Sequence, residues 1–464
     1  MTVENTLEYR WFSIQIEVED IHESCEYVPI SIHFDLTKIL EDIGESGIVD
    51  ERSLRLYHID PDGKESEKPY QFSPDIQPHH PQRQLTSRTP ETVSWGSEWQ
   101  SKEKLLSPRV KGVLTWIANG NPKGFSQYKL VFGVPINCIA VQVPFPPNNL
   151  RHFDDQWKPI ALRWFPTMQI KPQWTHNGVV HIFNGESLIT SYNMGPINQA
   201  IVPRRPFFYP VNGPDDICLT ELGKPHDPTG SHAHHYSLWI AHADVEGVDF
   251  WSERGGLICH EQFELMENGT LFVRLVQKTH WMKDDKAYLN ERRIITVYAT
   301  SEDFRLIDVE LELTSAGSSP VELGKTPFGF LAARVAQSMT VFDGGGEIIN
   351  SEGQRNEQSA HWQHARWIDQ SGPIAPDKWG GITLFDHPDN PGYPNAWHCR
   401  NDGWAGASFN LNSAWKIMPD YSLRLKYRVY LHHHNAEMGK VSTRYDEYVC
   451  KPKISLGNAQ ILLK

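Results

Sequence analysis

Residues 307–313, IDVELEL, alternate strictly between apolar and acidic side chains. Successive side chains of a β-strand point to opposite faces of the sheet, so this pattern predicts a strand with one buried and one solvated face. Residues 423–431, LRLKYRVYL, show a similar alternation near the C-terminus. We therefore predict a large antiparallel β-sandwich or jelly roll for this part of the chain.

The N-terminal part has the same two-residue period. It appears in residues 12–18, FSIQIEV, and again in residues 28–34, VPISIHF. A short helix is expected at residues 36–43, and the turn at residues 60–63, PDG after Asp60, predicts a hairpin. The chain is thus predicted to be all-β, with an N-terminal β-sandwich module and linker in residues 1–165. The large sandwich domain with the active site would then cover residues 166–464.

Composition narrows the possible partners. The formal net charge is −13 and the sequence contains no basic stripe, so we expect no binding to nucleic acid. The longest uncharged stretch, residues 130–150, is interrupted by prolines, and no membrane span is expected. The N-terminus lacks a signal-peptide pattern and the six cysteines are scattered, so we expect a cytoplasmic protein with free thiols. A homo-oligomer is left open.

A first cluster of polar residues lies in residues 231–251, SHAHHYSLWIAHADVEGVDFW. The spacing of His232 and His234 could present two imidazoles to a metal ion, so a divalent metal stays an open alternative although no cofactor is expected. Direct binding of a sugar by these side chains is favoured. His234 is taken as a catalytic candidate. The substrate-binding candidates of this cluster are His235, His242, Asp249 and Trp251.

A second cluster contains Arg334 within the small, apolar stretch GKTPFGFLAARVAQSM at residues 324–339. A buried guanidinium must be paired or face a cavity, because burying it alone costs several kcal/mol. Arg334 is taken as a substrate-binding candidate. Glu352, which follows a glycine-rich turn, is a candidate catalytic acid or a partner for Arg334.

The third cluster lies in residues 385–403, in which the turn DNPGYPN separates two groups of titratable side chains. A hairpin or a loop there would bring His387 and His398 to one rim. Histidine exchanges protons near neutral pH, and arginine can hold an oxyanion or a carboxylate. The alternative is a structural pair of Asp386 with Arg400 and a turn-capping His387. The catalytic candidates are Asp386, His398 and Arg400, and the substrate-binding candidates are His387 and Trp397.

These stretches, together with INSEG, ARWIDQSGP and GITLFDHPDNP, resemble a bacterial family of unknown function that is labelled methane oxygenase PmoA-like. The resemblance spans roughly residues 175 to 445 in ordered blocks. It implies a sugar-handling β-sandwich of bacterial carbohydrate catabolism, without an established reaction. The first domain looks like β-modules that precede carbohydrate-active domains. The family pattern emphasises His234, His235, His242, Asp249, Arg334, Glu352, Asp386, His398 and Arg400.

The sequence supports more than one function. The preferred hypothesis is an enzyme, a hydrolase or lyase, that cleaves a glycosidic bond in a small saccharide or glycoside. Elimination next to a keto or uronate group needs a base and a cation, which histidine and arginine supply, whereas hydrolysis needs two spaced carboxyl groups. The excess of histidines favours elimination. The alternatives are a non-catalytic carbohydrate-binding protein and a cupin-like metal-dependent enzyme.

Overall fold

The computed structural model describes residues 9–75, 109–136, 160–166, 178–195, 204–223, 232–252 and 254–462. The chain divides into two compact units, one formed by residues 1–156 with 450–464 and the other by residues 157–449. The stretch PFPPNNLRHFDDQ, residues 144–156, whose prolines and asparagines predict the linker of the N-terminal module, lies outside the described residues. None of the helices described is long and apolar enough to cross a membrane.

The strands are numbered in chain order. The first are β1 (Tyr9–Glu19), β2 (Val28–Asp35), β3 (Asp50–Ile59), β4 (Glu65–Lys68), β5 (Tyr70–Pro74), β6 (Lys111–Ala118), β7 (Phe125–Pro135), β8 (Ile160–Pro166), β9 (Gly178–Asn184) and β10 (Ser187–Asn193). They continue with β11 (Phe207–Val211), β12 (Leu238–His242), β13 (Leu257–Glu267), β14 (Phe272–Lys283), β15 (Lys286–Tyr298), β16 (Phe304–Ser315), β17 (Val321–Leu323), β18 (Gly329–Arg334) and β19 (Glu347–Asn350). The last are β20 (Gln363–His364), β21 (Trp367–Ala375), β22 (Lys378–Asp386), β23 (Ala396–Arg400), β24 (Trp404–Ser408), β25 (Trp415–Ile417), β26 (Leu423–His433), β27 (Lys453–Leu456) and β28 (Gln460–Leu462).

Helices are short. They are α1 (Leu36–Asp42), α2 (Asn356–Ala360) and α3 (Val441–Val449), with 3₁₀ turns at Pro214–Asp216 and Gln337–Met339. The first helix agrees with the sequence-based prediction, and Asp35 caps it by accepting a hydrogen bond from the backbone N–H of Lys38 at 2.9 Å. The predominance of antiparallel strands confirms the predicted all-β class. The sequence shows no amphipathic pattern of useful length after residue 170, and the helix α3, of 9 residues, was not predicted.

In the first unit the described strands form two sheets. One has the order β27-β1-β7-β3-β4, with β28 also paired to β1, and the other has the order β2-β6-β5. The aromatic rings of Trp116 in β6 and Tyr128 in β7 are 5.2 Å apart, so the sheets pack face to face. The C-terminal strands β27 and β28 belong to this unit. The sequence-based boundary kept these residues with the second domain, because short, polar strands do not indicate which sheet edge they join.

The second unit is a sandwich of two large antiparallel sheets. Among the described strands, one sheet has the order β20-β23-β24-β18-β12-β11-β10-β9-β8 and the other β13-β14-β15-β16-β26-β22-β21-β19. The rings of Trp281 and Phe330, which come from different sheets, lie 6.2 Å apart in the shared core. In β16 every apolar residue of IDVELEL is buried and every acidic residue is partly exposed, as the alternation predicts.

The turn DNPGYPN does not form a hairpin. Strand β22 before the turn lies in one sheet, and strand β23 after it lies in the other. His387 and His398 therefore do not share a rim: the His387 ring contacts Tyr448 at 5.0 Å, whereas the His398 ring lies on Trp404 at 4.1 Å. The sandwich crossing decides this separation, which no local pattern in the sequence encodes.

Candidate functional site

The outer edge of β23 is covered mainly by the segment that follows α2. The backbone N–H of Trp362 donates to the carbonyl of Trp397 at 2.8 Å. At Cys399, two residues after Trp397 on β23, the backbone carbonyl lies 2.8 Å from the ring Nδ1 of His361. A carbonyl only accepts, so this contact requires the ring proton on Nδ1. The backbone N–H of Cys399 also lies 3.3 Å from Nδ1 and would favour the other tautomer, and we assign the proton to Nδ1 because the contact with the carbonyl is the shorter one. The strand edge thus fixes the orientation of the His361 ring.

His361 meets His398, which projects from β23, in an edge-to-face arrangement. The two ring centroids are 4.4 Å apart and the planes are 86° apart. The indole N–H of Trp362 donates to Nδ1 of His398 in a long hydrogen bond of 3.4 Å. The proton of a neutral His398 therefore lies on Nε2, whereas Nε2 of His361 keeps a lone pair. Neither Nε2 atom has a protein hydrogen-bond partner in the described part of the chain.

Both imidazoles are held in the neutral form at neutral pH. Burial is the main reason that the pKa of His398 is lowered to about 3, and electrostatic interactions with His361 and Arg400 contribute to the same shift. Burial also lowers the pKa of His361, partly opposed by the hydrogen bond to the carbonyl of Cys399. The pair therefore offers one basic nitrogen and one N–H donor side by side.

Trp362 places an exposed flat ring beside this pair. The residue is 47% exposed, and its backbone φ is 60°. A bulky residue in the left-handed region is an outlier that costs on the order of 1–3 kcal/mol and persists only where other contacts enforce it. The enforcing contacts here are the hydrogen bonds of Trp362 to Trp397 and His398. The strain is consistent with a functional role for the presented indole.

Arg400 ends β23 on the same face as His398. Its Nε lies 3.0 Å from Oε1 of Glu357, and its side chain is about half exposed. Oε2 of Glu357 accepts from the backbone N–H of Asn401 at 2.9 Å, and the side-chain oxygen of Asn401 accepts from the N–H of Glu357 at 3.1 Å. These reciprocal bonds tie α2 to the β23–β24 turn and orient the guanidinium.

An aromatic floor lies under His398. The ring of Trp404 stacks on His398 at 4.1 Å with an interplanar angle of 21°, and it also contacts His235 at 5.2 Å. Phe328, which is partly exposed, lies 5.2 Å from His398. Trp251 packs on Trp404 at 5.6 Å. The structure thus brings the predicted residues His235, Trp251 and His398 into one buried aromatic cluster through Trp404.

Arg334 is buried and paired, as one of the two sequence-based interpretations required. It donates to Oε1 of Glu221 at 3.2 Å, to Nδ1 of His235 at 3.0 Å and to the backbone carbonyl of Asp402 at 2.9 Å. Burial lowers the pKa of His235 well below its ordinary value, and the charges of His234 and Arg334 add to the effect. Arg334 therefore supports the position of His235 and the β23–β24 turn.

His234 lies beside His235, with their ring centroids 4.5 Å apart. The pKa of His234 is lowered to about 4, mainly by burial and next by the positive charge of Arg205. Asp249 accepts from the backbone N–H groups of Trp251 and Ser252 at 2.7 and 3.0 Å, so its carboxylate stabilises a turn. His234 therefore adds a ring to the aromatic cluster on the side of His235, whereas Asp249 only stabilises the turn.

Asp386 is a structural carboxylate. It is fully buried and accepts from the N–H of His387, from the backbone and side chain of Asn395 and from the side chain of Asn390, at 2.7–3.1 Å. Burial raises its pKa, although these bonds oppose the shift. Nδ1 of His387 accepts from the N–H of Asp389 at 3.0 Å. The turn-capping interpretation of His387 fits this geometry, and neither residue joins the His361–His398 site.

The candidates His242, Trp397 and Glu352 do not contribute side chains to the His361–His398 site: the first two are buried in the core, and the third is exposed in a turn. His242 is completely buried, accepts from the N–H of Asp244 at Nδ1 and lies 2.9 Å from the side-chain oxygen of Asn410 at Nε2. Trp397 is a core residue whose indole N–H donates to the carbonyl of Ala365 at 2.8 Å. Glu352 lies exposed in the turn after β19.

The sequence-based reasoning did not include His361, Trp362 or Glu357. Their signal was the stretch AHWQHARW, residues 360–367, in which aromatic and titratable side chains mix without strand alternation. No group of three or more His, Cys, Asp or Glu side chains could hold a metal ion within the residues that the structure describes.

Residues 179–446 match a family of unknown function, DUF6807. This agrees with the resemblance to a family of unknown function but bears neither on the PmoA-like label nor on the N-terminal module. No curated protein matches the sequence.

Two similar solved structures come from Enterococcus faecalis. A protein in glycosyl hydrolase family 38 is 10% identical with a TM-score of 0.41, and the match covers 96% of this chain and 47% of that one. An alpha-mannosidase from strain V583 is 8% identical with a TM-score of 0.35, covering 96% and 46%. The present chain thus spans less than half the length of either. Likeness at this level carries no argument about activity.

Proposed function

The chain belongs to the DUF6807 family of unknown function, and we propose that it is a carbohydrate-active enzyme that cleaves a glycosidic bond by elimination in a small saccharide or glycoside. The observation that carries this proposal is the pair of neutral imidazoles, His361 and His398, whose rings meet at 4.4 Å beside the exposed indole of Trp362. One ring offers a lone pair and the other an N–H.

Elimination uses those two nitrogens in different ways. Nε2 of His361 takes a proton from the carbon next to a carbonyl group, and the electron pair of that C–H bond moves toward the carbonyl. The N–H at Nε2 of His398 donates to the oxygen on which negative charge develops. The C–O bond to the leaving group then breaks as a carbon–carbon double bond forms. The leaving oxygen takes the proton from His361, so the products are an unsaturated sugar and an alcohol, and the enzyme is restored.

Hydrolysis fits the geometry less well. Glycoside hydrolysis uses two carboxyl groups, one as an acid and one as a base or nucleophile. Of the carboxylates described, the one bonded to this site is Glu357, and Arg400 and Asn401 occupy both of its oxygens. The surrounding groups are imidazoles whose lowered pKa values keep them unprotonated at neutral pH, so that His361 is in the form that can accept a proton.

The test is a panel of small glycosides with purified full-length protein. It contains keto-glycosides, uronate disaccharides and ordinary neutral glycosides, with products identified by mass. We expect product masses that add up to the substrate mass without water. We also expect His361→Ala to lower kcat/KM by at least about 100-fold, the usual contribution of a general base.

His364→Ala is the matched control. His364 is an exposed histidine three residues away that lies 2.7 Å from the carbonyl of Pro394 through Nδ1, and its loss should leave turnover unchanged. Products that contain an added water would replace elimination with hydrolysis. Binding of sugars that depends on Trp362, without turnover of any member of the panel, would establish a carbohydrate-binding protein and overturn the proposal.

A further inference from the structure

We infer that the carbonyl group recognised at this site is a carboxylate, so that the substrate is a uronate bound by the terminal nitrogens of Arg400. This inference rests on the proposed elimination at His361 and His398 and narrows it from any carbonyl-bearing sugar to an acidic one. The supporting observations are the free edge of one guanidinium, its position on β23 and the charge that the reaction generates.

The guanidinium of Arg400 is held from one side only. Its Nε pairs with Glu357 at 3.0 Å, and its two terminal nitrogens have no protein acceptor within the described residues. The side chain is 49% exposed, so a ligand can reach these nitrogens. Two parallel N–H groups match the two oxygens of a carboxylate, which makes such a pair bidentate and stronger than a neutral hydrogen bond.

Arg400 also has the position that this role requires. Residues two apart on a strand point to the same face, so Arg400 and His398 project together from β23. Its positive charge acts on the rings of both His361 and His398, where it lowers the pKa. The carboxylate of Glu357 is held by Asn401 at 2.9 Å, and this keeps the Nε side of the guanidinium occupied. The free edge therefore faces away from Glu357.

The negative charge that forms during proton removal explains why a permanently charged group such as Arg400 is needed at this site. Removing a proton next to a ketone leaves one negative charge, which a neutral N–H donor such as His398 can stabilise. Removing a proton next to a carboxylate adds a second negative charge to a group that already carries one. Neutral imidazoles cannot offset that charge, whereas a permanently charged guanidinium can. A site with one oriented arginine beside two neutral histidines is thus suited to the carboxylate.

For a uronate that carries a sugar at position 4, the step balances without a cofactor. Nε2 of His361 takes the proton from C5, beside the carboxylate on Arg400. The electron pair of the C5–H bond forms the C4–C5 double bond as the C4–O bond breaks. The released oxygen takes the proton from His361 and leaves as a hydroxyl group. The products are a 4,5-unsaturated uronate and a free sugar.

The experiment compares 4-linked digalacturonate with its methyl ester and with a keto-glycoside, using full-length protein. The ester keeps the acidic C5–H bond but loses the charge that Arg400 would bind. We expect the acid to be cleaved and the unsaturated product to absorb in the ultraviolet. Arg400→Gln should lower kcat/KM for the acid on the order of 100-fold, the usual loss when one oriented oxyanion donor is removed, and change that of the ester little. Arg400→Lys should recover part of the activity.

Arg355→Gln is the control, because Arg355 is an exposed arginine beside α2 that pairs with Glu347. Cleavage of the keto-glycoside but not of the acid would overturn this inference and leave the proposed elimination standing. Cleavage of the acid that Arg400→Gln does not weaken would likewise overturn the role of Arg400. The absence of cleavage of every substrate would instead overturn the proposed function itself.

Discussion

Replacing Glu291 with glutamine should strongly destabilise the second unit. The carboxylate of Glu291 accepts from the indole of Trp281 at 2.7 Å, from Thr279 at 3.0 Å and from Nε and a terminal nitrogen of Arg293 at 2.6 and 3.0 Å. The side chains of Glu291 and Arg293 are completely buried. An amide group in this place points a donor at donors and leaves the charge of Arg293 unpaired.

The expected loss in the free energy of unfolding is about 3–5 kcal/mol, the cost of breaking a buried ion pair by removing one partner. The other terminal nitrogen of Arg293 already lacks a partner among the described residues, so no spare acceptor is at hand. The measurement is urea unfolding followed by tryptophan fluorescence. Glu312→Gln is the matched control on the neighbouring strand: its pair with Arg424, 3.0 Å long, has side chains that are 31% and 72% exposed.

The control should lose no more than about 1 kcal/mol, because solvent screens an exposed pair. The double variant Glu291→Leu with Arg293→Met should recover much of the stability lost in Glu291→Gln, since apolar groups of similar volume leave no buried charge. Equal losses in Glu291→Gln and Glu312→Gln would refute this reasoning, as would a double variant no more stable than the single one.

Three further changes test other parts of the second unit. Burial lowers the pKa of His242 from 6.5 to about 4, so its contribution to the free energy of unfolding is complete above pH 6.5 and is lost as the pH falls toward 4. At pH 5 the loss from this group is about 2 kcal/mol. Urea unfolding at pH 7 and pH 5 should therefore show a smaller effect of pH in His242→Gln than in the unsubstituted protein. Glu357→Gln should change the free energy of unfolding by less than about 1 kcal/mol, because its pair with Arg400 is partly exposed; thermal denaturation measures this, and a large loss would mean that the pair is effectively buried. Gly406→Ala should lower stability by about 1–3 kcal/mol, since the new Cβ would lie 2.8 Å from the Cβ of Ala332 on the next strand; an unchanged melting temperature would show that β18 and β24 can separate at no cost.

The fold was largely accessible from local pattern. The alternation in residues 307–313 and 423–431 predicted strands with one buried face, and β16 has it. Strand β26 has it only at its start, because Arg428 and Tyr430 on the expected solvated face are buried as well. The alternation is informative because one face of such a strand packs in the core and the other faces water, so apolar and polar residues alternate along the chain. The placement of β27 and β28 beside β1 could not be predicted in this way, since pairing at a sheet edge depends on which edge is free.

The candidate site was accessible only in part. His398 and Arg400 could be selected because titratable side chains cluster on both sides of the turn DNPGYPN, and the structure presents both to one face because they lie two apart on β23. His387 and Asp386 looked equivalent to them in sequence, yet the chain crosses from one sheet to the other between these groups. His361 comes from a segment without strand alternation, which gave no reason to place it 4.4 Å from His398.

By itself, the sequence determined the all-β class and the supply of imidazoles and guanidinium groups, because periodicity and residue type are local properties. Which of those groups meet is a property of the tertiary structure. The strand-edge contacts of Trp362 and His361 with β23 bring the pair together and expose the indole, and the shorter of the two contacts at Nδ1 of His361 favours the tautomer with its proton on that atom. Burial then holds both rings neutral, and burial is set by the sheets that enclose them.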